Sequence, residues 1–278
     1  METKLYRYPT ALTIAGSDSS GGAGIQADLK TFSSLGVYGA SAITAITAQN
    51  TTGVRSIQPI DTSVFKDQID MVFEDLRIDA VKTGMIHNDK AAEITAQAIR
   101  QYQPQHLVVD PVMVSTSGTK LIEDSTIEII KHTLFPLASV ITPNICEAEL
   151  LSGTTISSIA DMQETAKKLL TFGCKSVLLK GGHLSGNRMV DVFIDNEGNT
   201  AMFESELCDT NNTHGTGCTL SSAITANLAK GHALTEAIHL AKAYISAAIQ
   251  NGADTFAGHG HGAVNHFFAP QPLHKVKL

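Results

Sequence analysis

Cysteine is scarce in this 278-residue chain, and its four cysteines exclude the common cysteine-based architectures. Neither a CxxC pair nor zinc-finger spacing occurs among Cys146, Cys174, Cys208 and Cys218. We therefore expect reduced thiols and no zinc site. Basic residues are also few: 20 of them face 27 acidic residues, for a formal net charge of -7, and no block of Lys and Arg occurs. This balance argues against nucleic acid or an anionic membrane as a partner.

Long apolar runs are missing as well. No stretch reaches the length of a membrane span, and the apolar part of the N-terminus is too short for a signal peptide. We therefore expect a cytoplasmic protein with no membrane partner. What the chain does contain is 43% hydrophobic and 17% charged residues, a globular balance that can bury a sizeable core.

Short apolar runs alternate with longer helical patterns along the chain. The runs are apolar on both faces, as in a covered parallel sheet, and they predict strands at residues 11–15, 42–46, 80–83, 107–109, 140–142 and 177–179. Helices are predicted at residues 25–35, 63–76, 90–102, 125–134, 160–172, 217–230 and 234–250. A β-hairpin at a sheet edge is predicted at residues 189–194 and 200–203. The alternation predicts one doubly wound α/β domain over residues 1–278, with a loosely held tail from about residue 270.

Polar and glycine residues follow five of the predicted strands directly. They occupy residues 16–18, 82–85, 110–114, 143–147 and 180–183. Ligands of open α/β sheets bind at the carboxyl ends of the strands. The sequence therefore predicts a site along this edge of the sheet.

The run NTHGTGCT at residues 212–219 precedes a predicted helix. Gly215 and Gly217 allow the backbone amides of Gly215, Thr216, Gly217 and Cys218 to point at one anion, and the helix N-terminus adds its positive dipole end. The same position is expected to lower the pKa of Cys218, which would suit a base toward a substrate hydroxyl. A glycine cap with a buried structural cysteine explains the run about equally well.

A glycine-rich run, GSDSSGGAG at residues 16–24, follows the first predicted strand. Its spacing matches neither the dinucleotide fingerprint nor the P-loop. A substrate pocket that needs close backbone approach at Gly16 and a simple glycine turn both remain open. Asp28, in the helix that follows, is by pattern alone a surface acid favoured by the helix dipole.

Side chains at other strand ends are candidates for metal and phosphate binding. Asp110 suits Mg²⁺, or is a strand-end cap. Asn144 and Glu147 have the spacing of a helix capping box. Alternatively, Glu147 supplies a second carboxylate on the metal side, and the motif favours neither reading. Lys180, before two glycines, suits phosphate.

Three histidine-containing features have weaker claims. His183 is explained by polar lining, and a single loop histidine such as His214 is usually solvated. The run HGH at residues 259–261 lies among glycines, which indicate a flexible loop rather than a metal site.

Four motifs together carry a resemblance to a known family: AGSDSSGGAGIQADLKTF from residue 15, TAQNT from residue 47, KGGH from residue 180 and NTHGTGCT from residue 212. Over residues 11–268, the chain resembles the bacterial hydroxymethylpyrimidine/phosphomethylpyrimidine kinases of thiamine biosynthesis, in the ribokinase superfamily. The resemblance implies a ribokinase-like fold, a pyrimidine substrate, ATP, Mg²⁺, a homodimer and two successive phosphorylations.

The resemblance also assigns residues to roles. The pyrimidine set is Gly16, Asp28, Gln49, Met85 and Val112. Gln49 offers a donor and an acceptor, which suits an aminopyrimidine edge. The ATP side is Asn144, Lys180, Thr213 and Lys242, and the metal side is Asp110 and Glu147.

Two other functions stay open. Sugar kinases of the superfamily usually have Asp where this chain has Cys218. Related pyridoxal kinases also have this cysteine, usually with a second one in a lid, but residues 112–120 contain none. A pyridoxal kinase is therefore the second candidate, and a non-catalytic pyrimidine-binding sensor is the third.

Overall fold

The structure is a computed structural model that describes residues 5–114, 120–181 and 188–278. Its helices are α1 (Gly24–Ser34), α2 (Thr62–Asp75), α3 (Asp89–Tyr102), α4 (Asp124–Thr133), α5 (Ile145–Ser152), α6 (Ile159–Leu170), α7 (Thr216–Ala229) and α8 (Leu234–Gln250), with a 3₁₀ turn at Phe135–Leu137. Its strands are β1 (Tyr6–Arg7), β2 (Thr10–Ala15), β3 (Tyr38–Ile43), β4 (Ala45–Asn50), β5 (Gly53–Pro59), β6 (Ala80–Thr83), β7 (His106–Val109), β8 (Val140–Ile141), β9 (Ser176–Leu179), β10 (Arg188–Asp195), β11 (Thr200–Glu206) and β12 (Val276–Lys277).

An eight-stranded sheet forms the centre of the fold, in the order β11-β10-β9-β8-β7-β6-β2-β3. The six strands from β3 to β9 in this order pair in parallel, whereas β10 is antiparallel to both β9 and β11. Strands β2, β6 and β9 are buried along their whole length, which explains why their sequences are apolar on both faces. The predicted mostly parallel, doubly wound fold with a hairpin at its edge is confirmed.

Helices cover both faces of the sheet. One apolar cluster joins α2 to α6 to one face, and a second joins α1, α7 and α8 to the other. Helix α7 is the central one, because it packs against α1, α8 and three strands and buries nearly every side chain. Its N-terminus lies at the carboxyl ends of the parallel strands. No helix among the described residues is both long and apolar enough to cross a membrane.

The predicted strand at residues 42–46 is instead the junction of two strands. Strand β3 ends at Ile43 and β4 begins at Ala45, and the amide of the intervening Thr44 donates to the carbonyl of Ala15 (3.0 Å). Strand β4 leaves the main sheet and forms a separate hairpin with β5. Because no glycine or proline marks the break at Thr44, the apolar pattern runs through it unchanged.

The end of the chain also differs from the expected loosely held tail. Strand β12 pairs with β1, and the amides of Gln271 and His274 donate to the carbonyls of Ser34 and Gly36 (both 2.8 Å). Backbone hydrogen bonds therefore hold this segment although it buries few side chains. Composition does not report such bonds, because every residue type except proline can form them.

Candidate active site

A cavity of about 610 Å³ opens at the carboxyl ends of the parallel strands. Of the fifteen site residues assigned from the sequence, fourteen line it, and Asp28 does not. The lining residues are Gly16, Gln49, Met85, Val112, Asp110, Asn144, Glu147, Lys180, Thr213, Gly215, Thr216, Gly217, Cys218 and Lys242. Gly182 and His183 of the KGGH motif lie outside the described residues, as does most of the segment between Val112 and Lys120.

The turn at residues 215–218 requires glycine at its first position. Gly215 has a φ of 82°, and a Cβ there would lie 1.8 Å from the carbonyl oxygen of Gly22. The turn therefore packs directly against the glycine-rich run at residues 16–24. Helix α7 begins at Thr216, so this turn lies at the positive end of its dipole, and all four of its residues line the cavity. The amide of Thr216 donates to the carbonyl of Thr213 (3.2 Å).

Lys180 and Asp110 lie opposite this turn. The Nζ of Lys180 is 2.8 Å from Asp110 Oδ1, and a Cβ on Gly217 would come within 3.3 Å of the same Nζ. Thr142 and Ser221 also donate to Asp110 (3.1 and 3.0 Å). Although burial opposes ionisation, Lys180 and Lys82 hold the pKa of Asp110 below its usual value. An anionic Asp110 therefore fixes a cationic Lys180 beside the turn.

Cys218 does not have the lowered pKa that its helix position suggested. Burial raises the pKa of this half-buried thiol to about 11. The charge of Lys82 acts in the opposite direction, but the carboxylates of Asp28 and Asp110 add to the increase. Desolvation of the thiolate is the largest cause, and in the ligand-free protein Cys218 carries its proton.

Asp28 lies beneath the cavity. It is fully buried, and both of its carboxylate oxygens are 2.8 Å from Nζ of Lys82, which is fully buried as well. Thr13 and Ser222 each donate to it at 2.6 Å. Lys82, Thr13 and Ser222 therefore bond both of its carboxylate oxygens, and this geometry does not support a direct pyrimidine contact. It instead ties α1 to β2, β6 and α7.

Asn144 and Glu147 form the capping box that the motif allowed. The Asn144 amide donates to Glu147 Oε2 (2.8 Å), and the Glu147 amide donates to Asn144 Oδ1 (2.9 Å). Burial raises the pKa of Glu147 to about 7. Because both residues also line the cavity, the capping role and a role toward a ligand are compatible.

Gly16, Met85, Gln49 and Val112 also line the cavity. A Cβ on Gly16 would lie 2.2 Å from Cε of Met85, so the glycine leaves just enough space for that side chain. Gln49, on β4, is held by Ser19, whose hydroxyl donates to the Gln49 carbonyl (2.6 Å). These four residues offer apolar surface and one side-chain amide, a composition that fits a flat polar ring.

Sequence reasoning assigned no role to three residues that shape the site. Lys82 is a charged residue inside the apolar strand β6, and that anomaly could have identified it. Asp191, on β10, binds Lys242 (2.5 Å) and accepts the amide of Gly181 (2.9 Å), a contact that no local pattern predicts. His214 is buried and lies 2.8 Å from Asp18, contrary to the expectation of a solvated loop histidine.

Comparison with known proteins identifies the family. A family model described as phosphomethylpyrimidine kinase matches residues 18–265. The chain belongs to the phosphomethylpyrimidine kinase family. It is 48% identical to the hydroxymethylpyrimidine/phosphomethylpyrimidine kinase of Rhizobium meliloti, over 92% of this chain and 96% of that protein. It is also 48% identical to the thiamine biosynthesis bifunctional protein ThiED of Geobacter sulfurreducens, but spans only 53% of that relative's length.

Solved structures of two related kinases share the fold. A crystal structure of phosphomethylpyrimidine kinase from Clostridium difficile has a TM-score of 0.77 and 48% identity, covering 86% of this chain and 99% of that one. An ADP complex of Bacillus subtilis pyridoxal kinase has a TM-score of 0.85 and 42% identity, covering 94% and 98%. The chain is thus a ribokinase-like phosphotransferase, and kinases of this family use ATP.

Proposed function

We propose that this kinase transfers the γ-phosphoryl group of ATP to the hydroxyl of 4-amino-5-hydroxymethyl-2-methylpyrimidine, and then phosphorylates the monophosphate to the diphosphate. The observation that carries the proposal is one cavity lined by two chemically different groups of residues. Gly16, Gln49 and Met85 form the first group, and Lys180 with the 215–218 turn forms the second. A small hydroxymethylated ring bound by the first group presents its hydroxyl to the second.

The backbone amides of the turn supply the stabilisation on which phosphoryl transfer depends. This reaction relies mainly on positioning and on compensation of charge on the transferred group. The amides of Gly215, Gly217 and Cys218 would stabilise that charge, because these residues line the cavity at the start of α7 and a Cβ on Gly217 would lie 3.3 Å from Nζ of Lys180. Cys218 is the side chain of the turn that accepts the hydroxyl proton, which it does as the thiolate.

Mg²⁺ fits the charge of the cavity. Among the described lining residues, five carboxylates face three lysines: Asp18, Asp110, Glu147, Asp191 and Glu206 against Lys82, Lys180 and Lys242. No group of three or more His, Cys, Asp and Glu side chains able to hold a metal occurs among the described residues. Mg²⁺ is commonly held by one or two carboxylates together with water and substrate phosphates. Asp110 and Glu147 would hold it here, and it would supply positive charge to the phosphates.

The decisive measurement is mass spectrometry of the products formed from hydroxymethylpyrimidine and MgATP. We expect the monophosphate first and the diphosphate later. Cys218→Ala should lose most of kcat and keep its KM for ATP; near wild-type kcat in this variant would remove Cys218 as the base. ADP release that stays at background with the wild-type protein would contradict the kinase proposal and favour a pyrimidine-binding sensor.

Pyridoxal is a second candidate substrate, because the 42% identical Bacillus subtilis relative is named a pyridoxal kinase. Pyridoxal also presents a hydroxymethyl group on a flat ring. Measuring kcat/KM for both compounds with the same preparation ranks them. We expect the pyrimidine to be preferred, and a higher kcat/KM for pyridoxal would reverse the assignment.

The family resemblance also supports a homodimeric, cytoplasmic enzyme. Light scattering coupled to size-exclusion chromatography tests the first part, with twice the 29.5 kDa chain mass as the expected result. A single species at the monomer mass would contradict it. Fractionation of cells tests the second part, and recovery of the protein outside the cytoplasmic fraction would contradict that.

A further inference from the structure

A run of alternating glycines at residues 258–263, which the proposed chemistry does not use, bridges two parts of the active site. The run reads GHGHGA and forms no helix or extended strand. Its glycines were expected to indicate a flexible loop. In the structure, each of Gly258, Gly260 and Gly262 lies against a neighbouring chain segment too closely to admit a side chain.

The first end of this segment contacts Thr51, in the turn of the β4–β5 hairpin. The amide of Gly260 donates to the Thr51 hydroxyl, and the amide of His261 donates to the Thr51 carbonyl (both 3.1 Å). A Cβ on Gly258 would lie 2.4 Å from Thr51 Oγ1, and a Cβ on Gly260 would lie 1.9 Å from the Thr51 carbonyl oxygen. Thr51 follows Gln49 by two residues, so this contact lies on the same hairpin as the residue assigned to the pyrimidine.

The second end contacts the residue that precedes the 215–218 turn. The amide of His214 donates to the carbonyl of Gly262 (3.0 Å), and His214 pairs with Ala263 as a parallel bridge. A Cβ on Gly262 would lie 2.0 Å from Asn212 Oδ1. Asn212 is itself fixed, because its amide group donates to the carbonyls of Gly252 and Thr255 (2.7 and 2.8 Å).

A second connection between the same two parts runs through the first glycine-rich run. Ser19 donates to the carbonyl of Gln49 (2.6 Å), and Asp18, the residue before it, lies 2.8 Å from His214. The hairpin, residues 18–22, the 215–218 turn and residues 258–263 therefore form a closed ring of contacts, and the first three of these segments contribute residues to the lining of the cavity. The 258–263 segment is the part that closes it.

We propose that residues 258–263 are a positioning segment that sets the distance between Gln49 and the 215–218 turn. The inference rests on the proposed function, in which Gln49 holds the ring whose hydroxyl reacts at the turn. Within the described ranges, the β4–β5 hairpin pairs with no strand of the main sheet, so its tip depends on contacts of this kind. Phosphoryl transfer needs the reacting atoms within about 3.5 Å of each other, and a displacement near 1 Å at the hairpin would reduce the rate about 100-fold.

Two matched pairs of variants test the proposal. Gly258→Ala and Gly198→Ala impose the same backbone strain, because φ is +82° and +89°, but only Gly258 has Thr51 beside it. Thr51→Val removes the acceptor for Gly260, whereas Thr52→Val alters the neighbouring hydroxyl, which bonds only within the hairpin turn. We expect Gly258→Ala and Thr51→Val to raise the KM for the pyrimidine and lower kcat, each about tenfold. The KM for ATP should stay within twofold, and both control variants should match the wild type.

A double-mutant cycle and hydrogen exchange separate positioning from mere stabilisation of a loop. In a Gln49→Ala background, Gly258→Ala and Thr51→Val should have little further effect on the pyrimidine KM, because the contact they misplace is already gone. Amides of residues 45–59 should exchange faster in both variants than in Gly198→Ala. Additive KM effects, or exchange and kinetics equal to those of the controls, would overturn the proposal. Failure of the proposed function itself is distinguishable, because the wild-type protein would then not phosphorylate the pyrimidine at all.

Discussion

Slow alkylation of Cys218 at neutral pH is the most direct consequence of its surroundings. A thiol with a pKa of about 11 is ionised to about 0.03% at pH 7.5, whereas a free cysteine with a pKa of about 8.5 is ionised to about 9%. Only the thiolate reacts with iodoacetamide. Cys218 should therefore react about 300-fold more slowly than free cysteine, and its rate should rise about tenfold per pH unit from pH 7 to pH 10.

Peptide mass spectrometry after timed alkylation measures this rate separately for each cysteine. Cys146, which is exposed in the same cavity, reports reagent access in the same sample. Restricted access would slow Cys218 by a constant factor, whereas a raised pKa makes the rate depend on pH over the whole range. A rate that reaches a plateau below pH 9 would refute the assignment of the raised pKa.

The same pKa has a kinetic counterpart. The pH dependence of kcat/KM reports the essential groups of the free enzyme. If Cys218 is the base, kcat/KM for the pyrimidine should rise with pH in parallel with its alkylation. Slow, pH-dependent alkylation together with a flat kcat/KM between pH 7 and pH 9 would keep the raised pKa and remove the base role.

Three further variants test other parts of the site. Asp28→Asn leaves the buried Lys82 without its counter-ion, so it should lower the free energy of unfolding by about 3–5 kcal/mol in urea titrations. The control Asp67→Asn, on the exposed face of α2, should change this free energy little. Native Glu147 keeps its proton up to about pH 7, whereas the unfolded chain releases it near pH 4.5. The free energy of unfolding of the wild type should therefore fall as pH rises through this window, on the order of 1 kcal/mol per pH unit. Glu147→Gln should flatten this dependence, and an unchanged slope would contradict the raised pKa. Gln49→Ala should raise the KM for the pyrimidine about tenfold or more, and an unchanged KM would remove Gln49 from the pocket.

Local pattern predicted the main sheet and the edge of it that carries the site. Apolar runs marked the buried strands, and the glycines after them marked where a backbone can approach a ligand closely. These features depend on neighbours in sequence, so a single chain reveals them. The same patterns failed at Thr44, where the path of the chain is decided by a hydrogen bond to Ala15 rather than by residue type.

The burial of the site residues, and their contacts with residues distant in the chain, could not be predicted from the sequence. Asp28 pairs with Lys82, 54 positions away, and this contact, rather than its place in the first turns of α1, decides which way the carboxylate faces. The pKa of Cys218 likewise depends on burial and on the charges of Lys82, Asp28 and Asp110, which lie far from it along the chain. The role proposed for residues 258–263 follows only from the three-dimensional neighbours of Gly258, Gly260 and Gly262, which the sequence does not show.

The lysines of the cavity show how the site can bind a polyanion while the protein as a whole is negative. Lys82, Lys180 and Lys242 are each paired with a carboxylate, on Asp28, Asp110 and Asp191 respectively. Each pair fixes a cation without leaving a buried charge uncompensated, so the lysines are oriented before a nucleotide arrives. The arrangement leaves no surplus positive charge among the described lining residues. The compensation for the triphosphate must therefore come largely from backbone amides at the N-terminus of α7 and from cations that enter with ATP, which is why the proposed function includes Mg²⁺.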